Sequence, residues 1–576
     1  MSTSSVRRVA ALAVTILLTT VLASLGLSAP AGADAGGGVP GVPRTDASAL
    51  SVGFDFGCVI VSDGGVRCWG GNGEGQLAQG NTVKIGDDPG ESTVPVDLGP
   101  GRTAVVVSAG SFHACALLDN GQVRCWGYNS SGQLGQGNTD KIGDNPGEST
   151  VPVDLGPGRT AVAVEAGDYH TCAVLDTGQL RCWGYNGAGQ LGQGNTNNIG
   201  DTAGETTVAV DLGPGRTAVA VAGGYASTCA VLDNGQLRCW GYNADGQLGQ
   251  GHSNNIGDTA GETTVPVDLG PGRTARAVAA GGYHVCAVLD TGQLRCWGFN
   301  SSGQLGQGNT DDIGDTAGET TVAVDVGPGR TVVAVNGGGY HTCAVLDDGQ
   351  LRCWGRNDFG QLGQGHVAYL GDSAGESTVA VDLGPGRTAL AVSGGEYHTC
   401  AVLESRQLRC WGLNDVGQLG QGNAVSFGND PGELPAGLAA VGLGGQLVGR
   451  DADHDGVRDA VDACPTAGGT LPNGCPAAVV SAPEAVLKGK KVVLDTVLAK
   501  QTASAKCPAK ATVVVKTKSS KGKLSVTKKL KTTTVTGGCR VKGTINLHAK
   551  PKKTAKVKVT VSGAKLKTKH LTAVRP

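Results

Sequence analysis

Histidine, cysteine and tryptophan side chains recur together along the chain in close copies of one segment, HTCAVLDTGQLRCWG at residues 170–184. His170, Cys172 and Cys182 are three potential nitrogen and sulfur ligands for zinc or copper. Phe56 and Ser227 replace the histidine in two of the seven copies, whereas both cysteines occur in every copy. Because this ligand set loses a member twice, the pattern favours a disulfide and a buried histidine over a metal site.

The spacing of the two cysteines supports the disulfide. The loop 176–178, Asp-Thr-Gly, has its glycine last, as a three-residue hairpin turn requires. This turn pairs Val174 with Leu180 and places Cys172 opposite Cys182, where Cα atoms about 4.5–5.5 Å apart allow a disulfide. We predict seven such bridges: Cys58–Cys68, Cys115–Cys125, Cys172–Cys182, Cys229–Cys239, Cys286–Cys296, Cys343–Cys353 and Cys400–Cys410.

These pairs follow each other at a constant step of 57 residues, and so do all seven tryptophans. A fixed period of this length is typical of repeat architectures, in which each unit buries its faces against its neighbours. Four short β-type runs per unit and seven units between residues 47 and 445 predict a mostly β protein with a seven-bladed propeller. We expect the ring to close by pairing a strand near residues 48–53 with the final repeat.

Each unit resembles the repeat of the regulator of chromosome condensation family. The resemblance rests on residues 166–195, AGDYHTCAVLDTGQLRCWGYNGAGQLGQGN, which contain the family's W-G-x-N and G-Q-L-G-x-G motifs and recur seven times. The family includes a nuclear exchange factor for a small GTPase, a secreted inhibitor of β-lactamases, a plant ultraviolet receptor and bacterial surface proteins. The resemblance implies a propeller, and the paired cysteines favour the secreted bacterial branch over exchange activity in the nucleus.

The repeats themselves argue against catalysis. An active site needs a nucleophile, a base and oxyanion donors in one place, but nearly every Asp, Glu and His recurs in equivalent positions. A single Trp per unit predicts blade packing rather than photochemistry. The IGDxxGExT segments, such as Asp201 with Glu205, could form weak cation sites or capped turns, and the spacing favours turns. Residues 47–445 hold 40 acidic and 18 basic residues, 18 − 40 = −22, which argues against nucleic-acid binding.

A partner-binding face is expected where the units stop copying each other. Unit six departs most, in the segment RNDFGQLGQGHVAYLGD, and unit seven adds two apolar residues. Arginine and aromatic side chains are common interface anchors, although neutral drift explains the same departures. The candidate partner-binding residues are Arg356, Asp358, Phe359, His366, Tyr369, Leu413 and Phe427.

A calcium loop is predicted after the propeller, within residues 446–480. The segment 451–465, DADHDGVRDAVDACP, resembles a single thrombospondin type 3 repeat. Carboxylates at loop positions 1, 3, 5, 9 and 12 supply hard oxygen ligands, and position 7 supplies a backbone carbonyl. The alternative is an acidic linker. The predicted Ca²⁺ ligands are Asp451, Asp453, Asp455, Val457, Asp459 and Asp462, and we expect Cys464 to bridge Cys475.

The last segment, residues 481–576, is strongly basic, with 24 basic and 2 acidic residues. Lysine or threonine alternates with valine at the period of a half-buried strand. With Cys507 and Cys539 as an expected bridge, the pattern predicts a small immunoglobulin-like β-sandwich. Because the segment lacks stacking aromatics, we expect it to bind anionic cell-envelope polymers rather than nucleic acid, although a merely solvated basic domain remains an alternative.

The N-terminal segment predicts export. Arg7 and Arg8 precede an apolar run, and an A-x-A pattern ends at Ala33, which together indicate a secretory signal peptide at residues 1–33 and a linker at 34–46. An uncleaved membrane anchor is the alternative, and no later segment could span a membrane. We therefore expect a monomeric, non-enzymatic binding protein, secreted or at the cell surface. An inhibitor of an extracellular β-lactamase or cell-wall hydrolase is the alternative function.

Overall fold

The computed structural model describes residues 49–89, 91, 94–442 and 447, together with the backbone of seven strands between residues 485 and 574. The chain divides into two compact units. The first contains the seven repeats and the second contains the basic C-terminal strands. The predicted signal peptide and calcium loop lie outside the described residues, and so do Cys464, Cys475 and Cys507.

The repeats form seven antiparallel sheets of three strands each, which are the blades of a propeller. Each blade runs in chain order from its inner strand to its outer strand. The blades are β1–β3 (Leu50–Val52, Phe56–Ile60, Val66–Gly70), β4–β6 (Ala104–Ala109, His113–Leu118, Val123–Gly127), β7–β9 (Ala161–Ala166, His170–Leu175, Leu180–Gly184), β10–β12 (Ala218–Gly223, Ser227–Leu232, Leu237–Gly241), β13–β15 (Ala275–Ala280, His284–Leu289, Leu294–Gly298), β16–β18 (Val332–Gly337, His341–Leu346, Leu351–Gly355) and β19–β21 (Ala389–Gly394, His398–Leu403, Leu408–Gly412).

The cysteine hairpin has the predicted register in every blade. In the third blade, Val174 pairs with Leu180 and Cys172 pairs with Cys182. The Cys172–Cys182 disulfide joins Cα atoms 4.1 Å apart, and the six equivalent bridges of the ring are also formed. None of these fourteen cysteines is free. The cysteines are therefore structural, and the zinc or copper interpretation of the HTC segment is wrong.

The predicted fourth strand of each blade is reduced to two isolated contacts. In the third unit, Ile199 forms a single antiparallel bridge with Gly184, and the Val210 N–H donates to the Leu180 carbonyl at 2.8 Å. Glycines and a 3-10 turn at Glu205–Thr207 interrupt the chain between these two points. The run therefore follows the blade edge without forming a ladder.

The seven tryptophans join neighbouring blades. Each indole is buried, and its Nε1–H donates to the backbone carbonyl of a glutamine in the preceding blade. Trp126 donates to Gln76 at 2.9 Å, and Trp69 closes the ring by donating to Gln418 of the last unit at 2.9 Å. These contacts confirm the prediction that the tryptophans pack blade against blade.

The ring closes differently from the sequence-based expectation. Strand β1 pairs with β2 of its own blade rather than with a strand of the final repeat. The last unit meets the first through the Val52 N–H, which donates to Ser393 Oγ at 3.1 Å, and through an isolated bridge between Leu447 and Val61. Leu447 thus pairs with the first blade just beyond the N-terminal end of β1, which is only three residues long.

The C-terminal unit is a single sheet that closes on itself rather than a sandwich of two sheets. Its strands lie in the order β22-β23-β26-β25-β24-β27-β28, and a parallel bridge between Val486 and Val574 joins the two ends. The alternating sequence pattern shows only that each strand has one apolar face, which both architectures satisfy. The 14-residue strand β25 pairs with β24 along its first part and with β26 along its last part, so the sheet continues without a break. The strands are β22 (Ala485–Lys488), β23 (Lys491–Ala499), β24 (Lys510–Ser519), β25 (Gly522–Val535), β26 (Gly538–Asn546), β27 (Pro551–Thr560) and β28 (Lys569–Val574).

Candidate functional site

A small cavity of about 80 Å³ lies in the central channel of the ring, where the inner strands of all seven blades converge. Its wall consists mainly of glycine backbone, with serines and a few larger polar side chains. Ligand sites for small organic molecules usually occupy roughly 300 Å³ or more. The cavity therefore has room for a few water molecules or a small charged group, and not for a typical substrate.

The loops that follow the inner strands form a belt around one end of this channel. An N–H of six loops donates to a carbonyl of the next blade's loop, as from Ser111 to Asp168 at 3.2 Å and from Gly339 to Gly395 at 3.0 Å. The close approach requires glycine, because a Cβ on Gly338 would lie 2.6 Å from the Gly395 carbonyl oxygen. The belt holds the loops of all blades in one rigid rim.

Three carboxyl groups line the cavity, and no lysine or arginine is among the lining residues. Burial raises the pKa of Glu165 to about 8 and that of Asp168 to about 6, and hydrogen bonds from Ser108 and Ser111 only partly offset the effect. Burial also raises the pKa of Glu396 to about 7, with a further contribution from the charge of Asp168. No lysine or arginine lines the cavity to offset this burial, and Arg356 outside it lowers the pKa of Glu396 only in part.

Seven aromatic side chains surround the same end of the channel, one from each unit. Six direct contacts join neighbouring rings, with centroids between 5.0 Å (Tyr225–Tyr283) and 6.5 Å (Phe112–Tyr169) apart. We call this set the aromatic ring. Phe54 and Tyr225 are each 39% exposed, and the others are half-buried. Its members are Phe54, Phe112, Tyr169, Tyr225, Tyr283, Tyr340 and Tyr397.

The aromatic ring is completed by residues from two adjacent repeat positions. In five units the aromatic residue directly precedes the histidine of the HTC segment. In the two units where Asp55 and Ala226 occupy that position, the preceding residue, Phe54 or Tyr225, supplies the ring instead. Every unit thus contributes one aromatic group although the position changes. This pattern was not among the sequence-based predictions, although it is visible when the aromatic residues are aligned at the 57-residue step.

Four of the candidate partner-binding residues lie beside the aromatic ring. The Arg356 guanidinium lies 5.5 Å from the Tyr340 ring centroid and 5.1 Å from that of Tyr397, and fills the one gap between neighbouring ring members. Asp358 holds it through an ion pair of 2.5 Å. Tyr369 Oη donates to Asp358 at 2.9 Å, and Phe359 contacts Tyr397 with centroids 5.3 Å apart.

The other three candidates have different surroundings. Leu413 is half-buried, takes the repeat position of Arg356 and donates its N–H to the Tyr397 carbonyl at 2.9 Å. His366 is exposed, and its Nδ1 accepts the Ala368 N–H at 3.2 Å within a turn. Phe427 packs against the buried core of the last blades and takes the place of the isoleucines of other units. We therefore leave His366 and Phe427 out of the candidate site.

The recurring histidines connect blades. Nε2 of His284 lies 2.7 Å from Thr342 Oγ1 of the next blade, and this hydroxyl donates to the Gln304 carbonyl at 2.8 Å. Equivalent contacts join His113, His170 and His341 to the threonine 58 residues further on. Burial lowers the pKa of His284 to about 4, so its imidazole is neutral. These histidines are structural.

The acidic IGDxxGExT segments are capped turns. Glu205 Oε2 accepts the N–H groups of Gly200 and Thr202, both at 3.0 Å, and the same arrangement recurs around the ring. Within the part of the chain that the structure describes, no cluster of three or more His, Cys, Asp or Glu side chains could hold a metal ion. No helix among the described residues is long and apolar enough to cross a membrane.

Seven blades around a central channel define this protein as a seven-bladed β-propeller. The family model of the RCC1-like domain matches residues 37–325 and 101–448, so the chain belongs to the RCC1-like family. It is 30% identical over 207 residues to the ultraviolet-B receptor UVR8 of Arabidopsis thaliana, which covers 34% of this chain and 41% of UVR8. It is also 30% identical over 158 residues to the human E3 ubiquitin-protein ligase HERC2, covering 26% of this chain and 3% of HERC2.

A solved structure supports the fold. The yeast RCC1 protein Prp20, in its complex with Kap60, superposes with a TM-score of 0.51 at 20% identity and covers 72% of this chain and 90% of that one. This likeness shows the propeller fold alone. The chain spans less than half the length of either curated relative. UVR8 is a receptor and HERC2 is a ubiquitin-protein ligase, so the shared fold does not assign a function or a partner to this chain.

Proposed function

We propose that this protein is a non-enzymatic binding protein that docks a protein partner on the aromatic ring. The observation that supports the proposal is the ring itself, to which every unit contributes one partly exposed aromatic group although the sequence position changes. Aromatic side chains and arginine dominate the energetics of protein interfaces. Contiguous exposed aromatic surface is rare on monomers unless it serves an interaction.

We propose further that the protein acts outside the cell. Residues 1–33 contain two arginines, then an apolar run, then small residues, and this pattern supports export. The seven disulfides support an oxidising compartment. The strongly basic segment 481–576 would hold the protein on anionic cell-envelope polymers by charge attraction.

The residues 451–462 would bind one structural Ca²⁺ and stiffen the joint that follows the ring. The support is the spacing of five aspartates around a glycine, which supplies carboxylate and carbonyl oxygens. Terbium luminescence of the full chain tests this point. An unchanged signal after Asp453→Asn with Asp455→Asn would contradict it.

Affinity capture tests the docking face. The full chain is immobilised and exposed to the culture supernatant of its source, alongside a Tyr225→Ala/Tyr283→Ala variant. The control is Val265→Ala/Val322→Ala, because both valines are exposed residues of the same two units. We expect a captured protein whose recovery falls at least tenfold with the tyrosine variant and is unchanged with the valine variant.

Equal recovery from both variants would show that the aromatic ring is not the interface. If the captured partner is a β-lactamase or a cell-wall hydrolase and its activity falls on binding, the protein is an inhibitor rather than a scaffold.

A further inference from the structure

We propose that the mouth of the channel binds the charged head of one lysine or arginine side chain that projects from the protein partner. This inference rests on the docking role proposed above and names the chemistry that the ring recognises. The partner's cation would sit between the aromatic ring and the carboxyl groups of the cavity.

Charge complementarity is the first argument. The cavity is lined by Glu165, Asp168 and Glu396, and no cationic side chain is among its lining residues. The only cation described beside it, Arg356, is already ion-paired with Asp358. An incoming ammonium or guanidinium group would therefore meet the carboxylate of Asp168 and would favour ionisation of the neighbouring Glu165 and Glu396, because no lysine or arginine lines the channel.

The aromatic ring supplies the second argument, because it already holds one cation. The Arg356 guanidinium lies within 5.5 Å of two ring centroids, which is the distance range of a cation–π contact. The other neighbouring rings contact each other directly, with centroids 5.8 Å apart for Tyr169–Tyr225 and 5.0 Å apart for Tyr225–Tyr283, and so form a continuous aromatic surface at the channel mouth. Arg356 thus shows how two members of the aromatic ring hold a cation, the type of group that we expect at the centre of the ring.

Size is the third argument. A cavity of about 80 Å³ accommodates an ammonium or guanidinium head with a few water molecules. A folded domain cannot enter the cavity. The partly exposed aromatic ring around the mouth would contact the partner's surface around one side chain that projects into the cavity. The site therefore selects a single cation on a protein surface.

The binding experiment uses four synthetic peptides with the full chain. Each is a nine-residue glycine-serine peptide with blocked ends, whose central residue is lysine, arginine, norleucine or glutamate. Binding is measured by NMR titration at low ionic strength. We expect the lysine and arginine peptides to bind at least tenfold more tightly than the norleucine and glutamate peptides.

Three double variants separate cation–π binding from general charge attraction. Tyr225→Leu/Tyr283→Leu removes two π faces without changing the charge, and Tyr225→Phe/Tyr283→Phe retains them as the matched control. We expect the leucine variant to raise the Kd of the arginine peptide about five- to tenfold and the phenylalanine variant to leave it within twofold. Asp168→Asn/Glu396→Gln should weaken the same peptide at least tenfold, with the thermal midpoint confirming that each variant is folded.

Equal binding of the norleucine and lysine peptides, or equal affinity of the leucine and phenylalanine variants, would overturn the inference. Failure of the two proposals is distinguishable. Loss of the captured partner with the tyrosine variants, together with no preference for cationic peptides, refutes the cation and leaves the docking face intact. Cation-selective peptide binding without a ring-dependent partner refutes the docking function.

Discussion

The buried histidines show how single residues determine the contacts between blades. In every unit before the last that has a histidine, the residue 58 positions further on is a threonine, as for His284 and Thr342. Unit four has Ser227 instead, and there the partner is Val285, which needs no hydrogen bond. His398 faces Gly57 across the ring closure, and both of its ring nitrogens lack a partner within the described structure. The two positions therefore change together between consecutive units, and the pair His398 and Gly57 at the ring closure departs from this rule.

We expect Thr342→Val to destabilise the ring by about 2 kcal/mol, because the substitution removes one hydroxyl that makes two buried hydrogen bonds. The variant His284→Ser/Thr342→Val recreates the natural pair of Ser227 and Val285. Its loss of stability should be smaller than the sum of the two single losses. Guanidinium unfolding of the four proteins measures this, and additive losses would contradict the coupling.

The carboxyl groups of the channel predict a dependence of stability on pH. Because the folded pKa of Glu165 is raised to about 8, folding favours its protonated form, and its contribution to stability is full below about pH 4.5 and lost as the pH rises toward 8. Glu165→Gln should therefore match the wild type near pH 4.5 and exceed it by about 2 kcal/mol at pH 8. Unfolding free energies at the two pH values test this. An equal difference at both would show that ionisation of Glu165 is not responsible.

The hairpin is the element that the repeats preserve most strictly. Its turn, its register and its disulfide depend on residues within a span of eleven, so each blade forms the same local structure. The fourth run of each unit behaves differently, because glycines interrupt it between the contacts of Ile199 and Val210. Local hydrogen bonding therefore explains both why the hairpin forms in every blade and why the fourth run forms no strand.

Replacing one bridge should measurably weaken the blade that contains it. Cys172→Ala/Cys182→Ala removes a constraint on the unfolded chain with a sequence separation of 10 residues, and we expect a loss of about 2–3 kcal/mol. Guanidinium unfolding without reducing agent gives the difference from the wild type. An unchanged unfolding midpoint would indicate that packing alone holds the hairpin.

At the scale of the whole molecule, opposite charges are separated along the chain. The seven repeats carry a net charge of 18 − 40 = −22, and the C-terminal segment carries 24 − 2 = +22. Only the basic segment can be attracted to an anionic polymer. The acidic repeats leave the aromatic ring in an environment that favours cationic partners.

Under the proposed retention on anionic polymers, this separation predicts which residues are responsible. Lys552→Glu/Lys553→Glu/Lys556→Glu should lower the salt concentration that elutes the full chain from immobilised lipoteichoic acid. The matched control, Arg216→Glu/Arg273→Glu/Arg330→Glu, changes the net charge equally within the repeats and should elute like the wild type. Equal shifts would show that net charge, and not the C-terminal segment, governs retention.

The sequence by itself determined the repeat length, the seven blades, the hairpin register and the disulfides, because each depends on residues close together in the chain. It also indicated Arg356, Asp358, Phe359 and Tyr369 as departures from the repeat. Only the tertiary structure decided what they surround. The aromatic ring draws one side chain from each of seven units, and these meet only when the propeller closes. The closed C-terminal sheet was equally hidden, since alternation identifies a strand's apolar face and not its neighbours.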